Sequence, residues 1–241
     1  MTFNPKTTVS ELALGVPNAT RVFEKMGIDY CCGGTKSLAD ACASASVSME
    51  DVLNSLREAT SGGSPAVELK GLQSAPLVKL IAYIIDKHHV FTRQELARLD
   101  ALLVKVCDVH GHNHPELLRV QKLFRILQQD LLMHMQKEEI VLFPHIMRME
   151  ESVSLDQPVP VPPFGTVRNP VRMMSLEHDT AGELLRAIRM ESANYAVPND
   201  ACASYRTLYQ ALRDFEKDLH QHIFLENSIL FPRAVELEMS A

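Results

Sequence analysis

Residues 134–144 read HMQKEEIVLFP and residues 222–232 read HIFLENSILFP, so His134-x-x-x-Glu138 and His222-x-x-x-Glu226 recur at a constant offset of 88 residues, each followed by Leu-Phe-Pro. An internal repeat of this kind predicts two copies of one structural unit. Both copies lie in helical patterning. In the first, the apolar stripe runs Leu123, Leu127, Leu131, His134, Glu138, Leu142; in the second it runs Leu208, Leu212, Phe215, Leu219, His222, Glu226, Leu230. Two histidines and two glutamates therefore hold positions that the pattern reserves for the core. A buried carboxylate is costly unless it is paired or binds a cation, and the same exception on two helices calls for one cause.

Residues four apart on an α-helix differ by about 40° in direction and stack one turn above the other, so each His-x-x-x-Glu offers both groups to one point. Upstream partners complete the set: His89 and His178 stand 45 and 44 residues before His134 and His222. Periodicity leaves His88 and His89 as alternatives on the first helix. Four imidazoles and two carboxylates converging on a bundle axis are the donors from which helical bundles build metal sites. Six protein ligands suit two metals, with both carboxylates bridging and a position open on each ion. Nitrogen and oxygen donors without thiolate point to iron or manganese, and the histidine-rich mixture favours iron.

Working outward, the sequence predicts an all-α chain with long amphipathic helices over roughly 77–109, 115–150, 170–194 and 200–237. Gly, Ser and Pro interrupt the pattern at 61–76 and 151–170. Upstream of the first break, residues 1–60 carry short helix-start signals, Thr8-x-x-Glu11, Ser37-x-x-Asp40 and Ser48-x-x-Asp51, which predict a small helical domain joined by a 61–76 linker to a bundle over 77–241. The 24 basic and 30 acidic residues give a net charge of −6, which disfavours a nucleic-acid backbone as partner. The absence of a leader pattern and of a membrane-length apolar run predicts a soluble cytoplasmic protein. Five cysteines then read as reduced thiols.

The stretch Asp29-Tyr30-Cys31-Cys32-Gly33-Gly34, the helix with His89, His134-x-x-x-Glu138-Glu139, Glu177-His178-Asp179 and His222-x-x-x-Glu226-Asn227 together resemble the iron-sulfur cluster repair di-iron proteins of the RIC, YtfE/ScdA type, over almost the whole chain. The resemblance implies a hemerythrin-like up-down four-helix bundle with a small N-terminal helical domain, selects His89 over His88, and implies two non-haem irons, oxo- or hydroxo-bridged, on His89, His134, Glu138, His178, His222 and Glu226. It also implies a stress-response role in restoring clusters damaged by nitric oxide or oxidants through iron release, with damaged iron-sulfur proteins as recipients. Nitric oxide reduction, and oxygen or nitric oxide binding or sensing, are alternatives. Asp130 and Glu177 correspond to acidic residues along a route to the metals. Monomer and dimer both remain open.

Cys31 and Cys32 read as a redox or iron-transfer pair; a disulfide between adjacent residues, whose Cα atoms are about 3.8 Å apart, would be strained. Cys42, Cys107 and Cys202 read as small buried hydrophobes. His110, His112 and His114 read as a solvated turn, Glu139 as a residue of the solvated face, and His145 and His220 as lying off the ligand stripe.

Overall fold

The computed structural model describes residues 4–61, 66–159 and 161–240. Among these residues the chain is helical, with a single isolated bridge, Thr8 to Ser37, in place of any sheet. The N-terminal part comprises α1 (Val9–Gly15), α2 (Ala19–Met26), α3 (Leu38–Ala45) and α4 (Met49–Ser61). Thr8 and Glu11 form the expected reciprocal cap on α1, and the Ser37 side chain accepts from the Asp40 amide on α3. Within the stretch expected as linker, Ala66–Ser74 forms a further helix, α5; residues 62–65 lie outside the described residues.

Four long helices follow: α6 over 77–110, α7 over 116–154, α8 (Arg168–Glu191) and α9 over 203–240. The fourth helix starts later than expected and the third ends earlier. Ala193, Asn194 and Tyr195 take left-handed backbone angles, which stop α8 at Glu191. At its other end α8 is capped by a distant residue, the Glu238 carboxylate accepting from the Val167 amide at 2.7 Å. The backbone of α6 lies against α7 and α9, and that of α7 against α8, as in an up-down bundle.

Three of these helices are not uniformly α. Wide π turns occupy Ile84–His89 in α6, Glu138–Leu142 in α7 and Glu226–Leu230 in α9. Phe143 and Phe231 donate to the carbonyls of Glu138 and Glu226, five residues back. The Leu-Phe-Pro ending of each repeat supplies a cause: Pro144 and Pro232 lack an amide hydrogen and their rings crowd the carbonyl four residues earlier, so the preceding turn widens. The π turn in α6 has no proline behind it.

Two apolar clusters divide the bundle along its length. One joins Phe124, Leu127, Leu131, Phe215 and Leu219 to Phe23, Tyr30, Leu38 and other residues of the N-terminal helices. The other gathers Leu80, Ile84, Leu142, Phe143, Leu230 and Phe231. Each fully buried Leu or Phe stabilises the fold by about 1.5–3 kcal/mol. The equal interval in the two repeat copies, Leu131 to Leu142 on α7 and Leu219 to Leu230 on α9, is where the repeat places its polar residues.

Candidate metal centre

The four repeat residues, together with His178 and with the His89 that the resemblance selects, meet in that interval, all buried. They form two overlapping groups of four, His89, Glu138, His222 and Glu226, and His134, Glu138, His178 and Glu226, with donor atoms in each group within 4.8 Å of one another. Both glutamates belong to both groups. The imidazoles pair across the bundle, with His89 Nε2 3.0 Å from His222 Nε2 and His178 Nε2 3.0 Å from His134 Nε2. Glu226 lies 3.0 Å from His222 Nε2 and 3.1 Å from His178 Nε2 through its two oxygens. Glu138 Oε2 lies 3.4 Å from His89 Nε2 and 3.3 Å from His134 Nε2.

This donor set fits a cation better than it fits itself. Both oxygens of Glu138 and Oε2 of Glu226 are buried without a hydrogen bond among the described residues, a costly arrangement for a carboxylate. Two nitrogen donors at right angles, each about 2.1 Å from one ion, stand about 3.0 Å apart, which is the separation found in both imidazole pairs. Right angles suit six-coordinate ions such as iron or manganese rather than tetrahedral zinc.

Electrostatics within the protein follow the same logic. Burial acts to protonate Glu138 and Glu226, and the charge of Glu226 does so for Glu138 as well, but the surrounding imidazoles outweigh this and hold both below the usual carboxylate range. Burial acts to lower His89 and His134, yet the two glutamates beside His89, and chiefly Glu138 beside His134, raise each to about 10. Burial leaves His222 below its ordinary value.

The outer nitrogens are held by residues that flank the donors in sequence. His89 Nδ1 contacts Glu139 at 2.6 Å, and His178 Nδ1 contacts Asn227 Oδ1 at 3.0 Å. Glu139 and Asn227 are mates at the 88-residue offset. Glu139, expected on the solvated face, is thus half-buried against a donor and also pairs with Arg93 at 2.8 Å. Across the hairpins His134 Nδ1 contacts Glu177 at 2.9 Å; hydrogen bonds from His134 and from Lys137 hold the Glu177 carboxyl down to about 2. These contacts fix the Nδ1–H tautomer and leave Nε2 as the donor.

The pseudo-symmetry breaks at the fourth imidazole. Glu177 precedes His178, whereas His88 precedes His89, and no carboxylate is available there. His88 instead stacks on His222, ring centroids 5.8 Å apart with 8° between planes, and bonds Asp218 at 3.1 Å through Nδ1. His222 Nδ1 has no hydrogen-bond partner among the described residues. Asp130, the repeat mate of Asp218, is exposed on α7, whereas Glu177 holds the outer nitrogen of His134.

The thiol loop reaches this centre from outside. Gly33 and Gly34 permit a tight turn, since a Cβ at Gly34 would stand 2.9 Å from the Tyr30 carbonyl. The loop packs on α8 and α9: Cys32 Sγ donates to the His178 carbonyl at 3.3 Å, and Tyr30 meets the Phe224 ring edge-on with centroids 5.4 Å apart. Asn227 joins the two parts, accepting from His178 on one side of its amide and donating to the Cys31 carbonyl at 3.1 Å on the other.

Other sequence readings fall differently. Cys42 and Cys107 are buried, as expected, but Cys202 is exposed and stands immediately before the first residue of α9. His114 is half-buried rather than free in the turn: it bridges Glu116 and Asp200 at 2.9 and 3.0 Å, and it meets the Tyr205 ring edge-on. His145 is buried against Phe164, and His220 lies against Tyr30. No described helix is long and apolar enough to cross a membrane.

A four-helix bundle with paired His-x-x-x-Glu donors on its axis defines a cation-binding helical protein. Residues 80–234 match the family described as the hemerythrin HHE cation binding domain, and residues 5–60 match a domain of unknown function, DUF542. The chain belongs to the hemerythrin HHE family. Over nearly its whole length it is similar to the iron-sulfur cluster repair protein YtfE of Citrobacter koseri, at 34% identity over 227 residues covering 94% of this chain and 96% of that protein. The same coverage and identity hold for YtfE of Escherichia coli O157:H7. The iron-sulfur cluster repair protein ScdA of Staphylococcus haemolyticus is 29% identical over 226 residues, again 94% and 96% of the two chains.

Proposed function

We propose that this chain holds two non-haem irons on His89, His134, Glu138, His178, His222 and Glu226, and that it serves in the cytoplasm to repair iron-sulfur clusters damaged by nitric oxide or oxidants, by donating iron. One observation carries the reading: two four-donor groups share both of their carboxylates, which supports two ions bridged by Glu138 and Glu226. The repair role rests on the likeness to iron-sulfur cluster repair proteins, which extends over the thiol domain as well as the bundle. In this reading residues 1–60 form a separate domain that carries Cys31 and Cys32, and 77–241 the iron-binding domain.

Iron would supply redox change and open coordination positions for nitric oxide or oxygen. The chain's own residues supply the rest. Glu139, Glu177 and Asn227 orient three imidazoles, and the two apolar clusters exclude water above and below the donors. Four protein donors per ion leave positions through which an ion can be handed on.

Metal analysis with Mössbauer spectroscopy tests the first part. About two irons per chain with an antiferromagnetically coupled signal are expected, and a His134→Ala/Glu138→Ala variant should lose both; one zinc or none in the wild type would overturn the proposal. For the second part, the ferrous protein should restore activity to an enzyme whose cluster has been stripped. Iron that never leaves the bundle would count against donation.

A second reading, nitric oxide reduction with the thiols as electron source, is favoured by the contact of Cys32 with the His178 carbonyl. Repeated turnover to nitrous oxide in the presence of an added electron donor that re-reduces the thiols, lost when Cys31 and Cys32 are replaced, would support it; a single stoichiometric event would not.

A further inference from the structure

The thiol loop brings together donors that the bundle does not use. Asp29 Oδ1 accepts from the amides of Cys31 and Cys32 at 3.2 and 2.9 Å. This local turn holds both sulfurs on one side: Cys31 Sγ is 3.8 Å from Cys32 Sγ and 3.4 Å from Asp29 Oδ1. Cys32 Sγ in turn stands 3.3 Å from the carbonyl oxygen of His178, which keeps a lone pair beyond its helical bond. The two sulfurs and the Asp29 carboxylate thus lie within 4.8 Å of one another, and the His178 carbonyl touches one of the sulfurs across the contact between loop and bundle.

These separations are those of a coordination shell. Two thiolates about 2.3 Å from one ion at the tetrahedral angle lie about 3.8 Å apart, and a sulfur and an oxygen on the same ion lie about 3.5 Å apart. The room comes from Gly182, where a Cβ would stand 3.2 Å from Cys32 Sγ. Arg186 takes the other oxygen of Asp29, at 3.3 Å, so Oδ1 remains the one directed at the sulfurs. A cavity of about 240 Å³ lined in part by Asp29, Cys31 and Gly182 borders the site.

We propose that Asp29, Cys31 and Cys32, completed by the His178 carbonyl, form a further cation site for one thiolate-binding divalent ion, ferrous iron or zinc, separate from the donors on the bundle axis. Binding replaces two thiol hydrogens by one ion and releases two protons to solvent, with no electron transferred. His178 then serves twice, its imidazole facing the axis and its backbone facing the loop. If the bundle holds iron as proposed above, the loop is a stopping point for an ion leaving it; the existence of the site does not depend on that.

Cobalt(II) is the probe, added anaerobically to the purified iron-loaded full chain. One further equivalent should bind with a thiolate-to-cobalt charge-transfer band and a tetrahedral ligand-field spectrum. The band should be lost in Cys31→Ser and in Cys32→Ser, weakened in Asp29→Asn and Gly182→Ala, and retained in Cys202→Ser. Asp29→Asn keeps the oxygen that orders the turn, so its effect reports on the ion rather than on folding. Absence of a thiolate band, or a band that survives Cys31→Ser and Cys32→Ser, would overturn the site. The axial donors are nitrogen and oxygen only and give no such band, so a bundle without iron and a loop without a site are distinguishable outcomes.

Discussion

Replacing Asn227 with alanine is the most discriminating single change to the centre. Its amide oxygen holds His178 Nδ1 at 3.0 Å and its amide nitrogen holds the Cys31 carbonyl at 3.1 Å, so alanine leaves a donor and an acceptor unmatched at the contact between loop and bundle. Partners of this kind contribute about 10- to 100-fold to metal affinity, or about 1.4–2.7 kcal/mol. The loss should fall on one position only, because His178 belongs to the group with His134 and not to that with His89 and His222. In a chelator competition followed by iron counting, Asn227→Ala should surrender one ion about 10- to 100-fold more readily than wild type while the other ion titrates as before. Asn227→Asp keeps the acceptor for His178 and should retain both ions, while loosening the loop enough to be read as faster proteolysis between the helical N-terminus and the bundle. Wild-type retention of both ions in the alanine variant, or equal loss of both, would refute the reasoning.

Glu138→Ala and Glu226→Ala should each empty both positions, since each carboxylate faces both imidazole pairs; retention of one ion in either variant, measured by metal analysis, would show that the carboxylate does not bridge. Glu139→Ala removes the acceptor from His89 Nδ1 and should weaken the other position by about tenfold, whereas exposed Asp130→Ala should leave iron retention unchanged. Among the cysteines, Cys202 should be alkylated first: the Tyr205 amide and then His110 bring its thiol down to about 7, so the thiolate prevails above that pH and reactivity falls away below it. Contact with Cys32 together with burial moves Cys31 the opposite way, and burial does so for Cys42 and Cys107. Peptide mapping after iodoacetamide at stepped pH checks the order, and a buried cysteine labelled ahead of Cys202 would contradict it.

His134, Glu138, His222 and Glu226 were legible because the repeat put charged residues where helical periodicity demands apolar ones, twice, and the bundle followed from the same stripes; His89 was separated from His88 only by the family resemblance. The orienting residues were less legible for a physical reason. Glu139 lies one residue, about 100°, off the stripe in a regular helix, so its side chain reads as solvated; only the neighbouring helix, carrying His89, gives it a buried partner. A signal existed nonetheless, since Glu139 and Asn227 are repeat mates that each follow a donor glutamate. The π turns were visible only as Leu-Phe-Pro after each glutamate. In α6, where no proline stands behind the wide turn, the sequence carried no mark of it. Helix α5 was hidden by the Gly, Ser and Pro around it, and the bridging of His114 to Asp200 spans a separation in sequence that local patterning does not reach.

The way the donors are shared has a consequence for how such a chain can be cut. Each group of four takes one histidine and one glutamate from the helical pair ending near residue 154 and one of each from the pair beginning near residue 168. Neither half owns a complete pocket, and both halves contribute equally to each. A protein severed in the connection between them would therefore yield fragments that each hold half of every donor group and restore both groups only on pairing. The single chain is in effect a tethered heterodimer of two related hairpins.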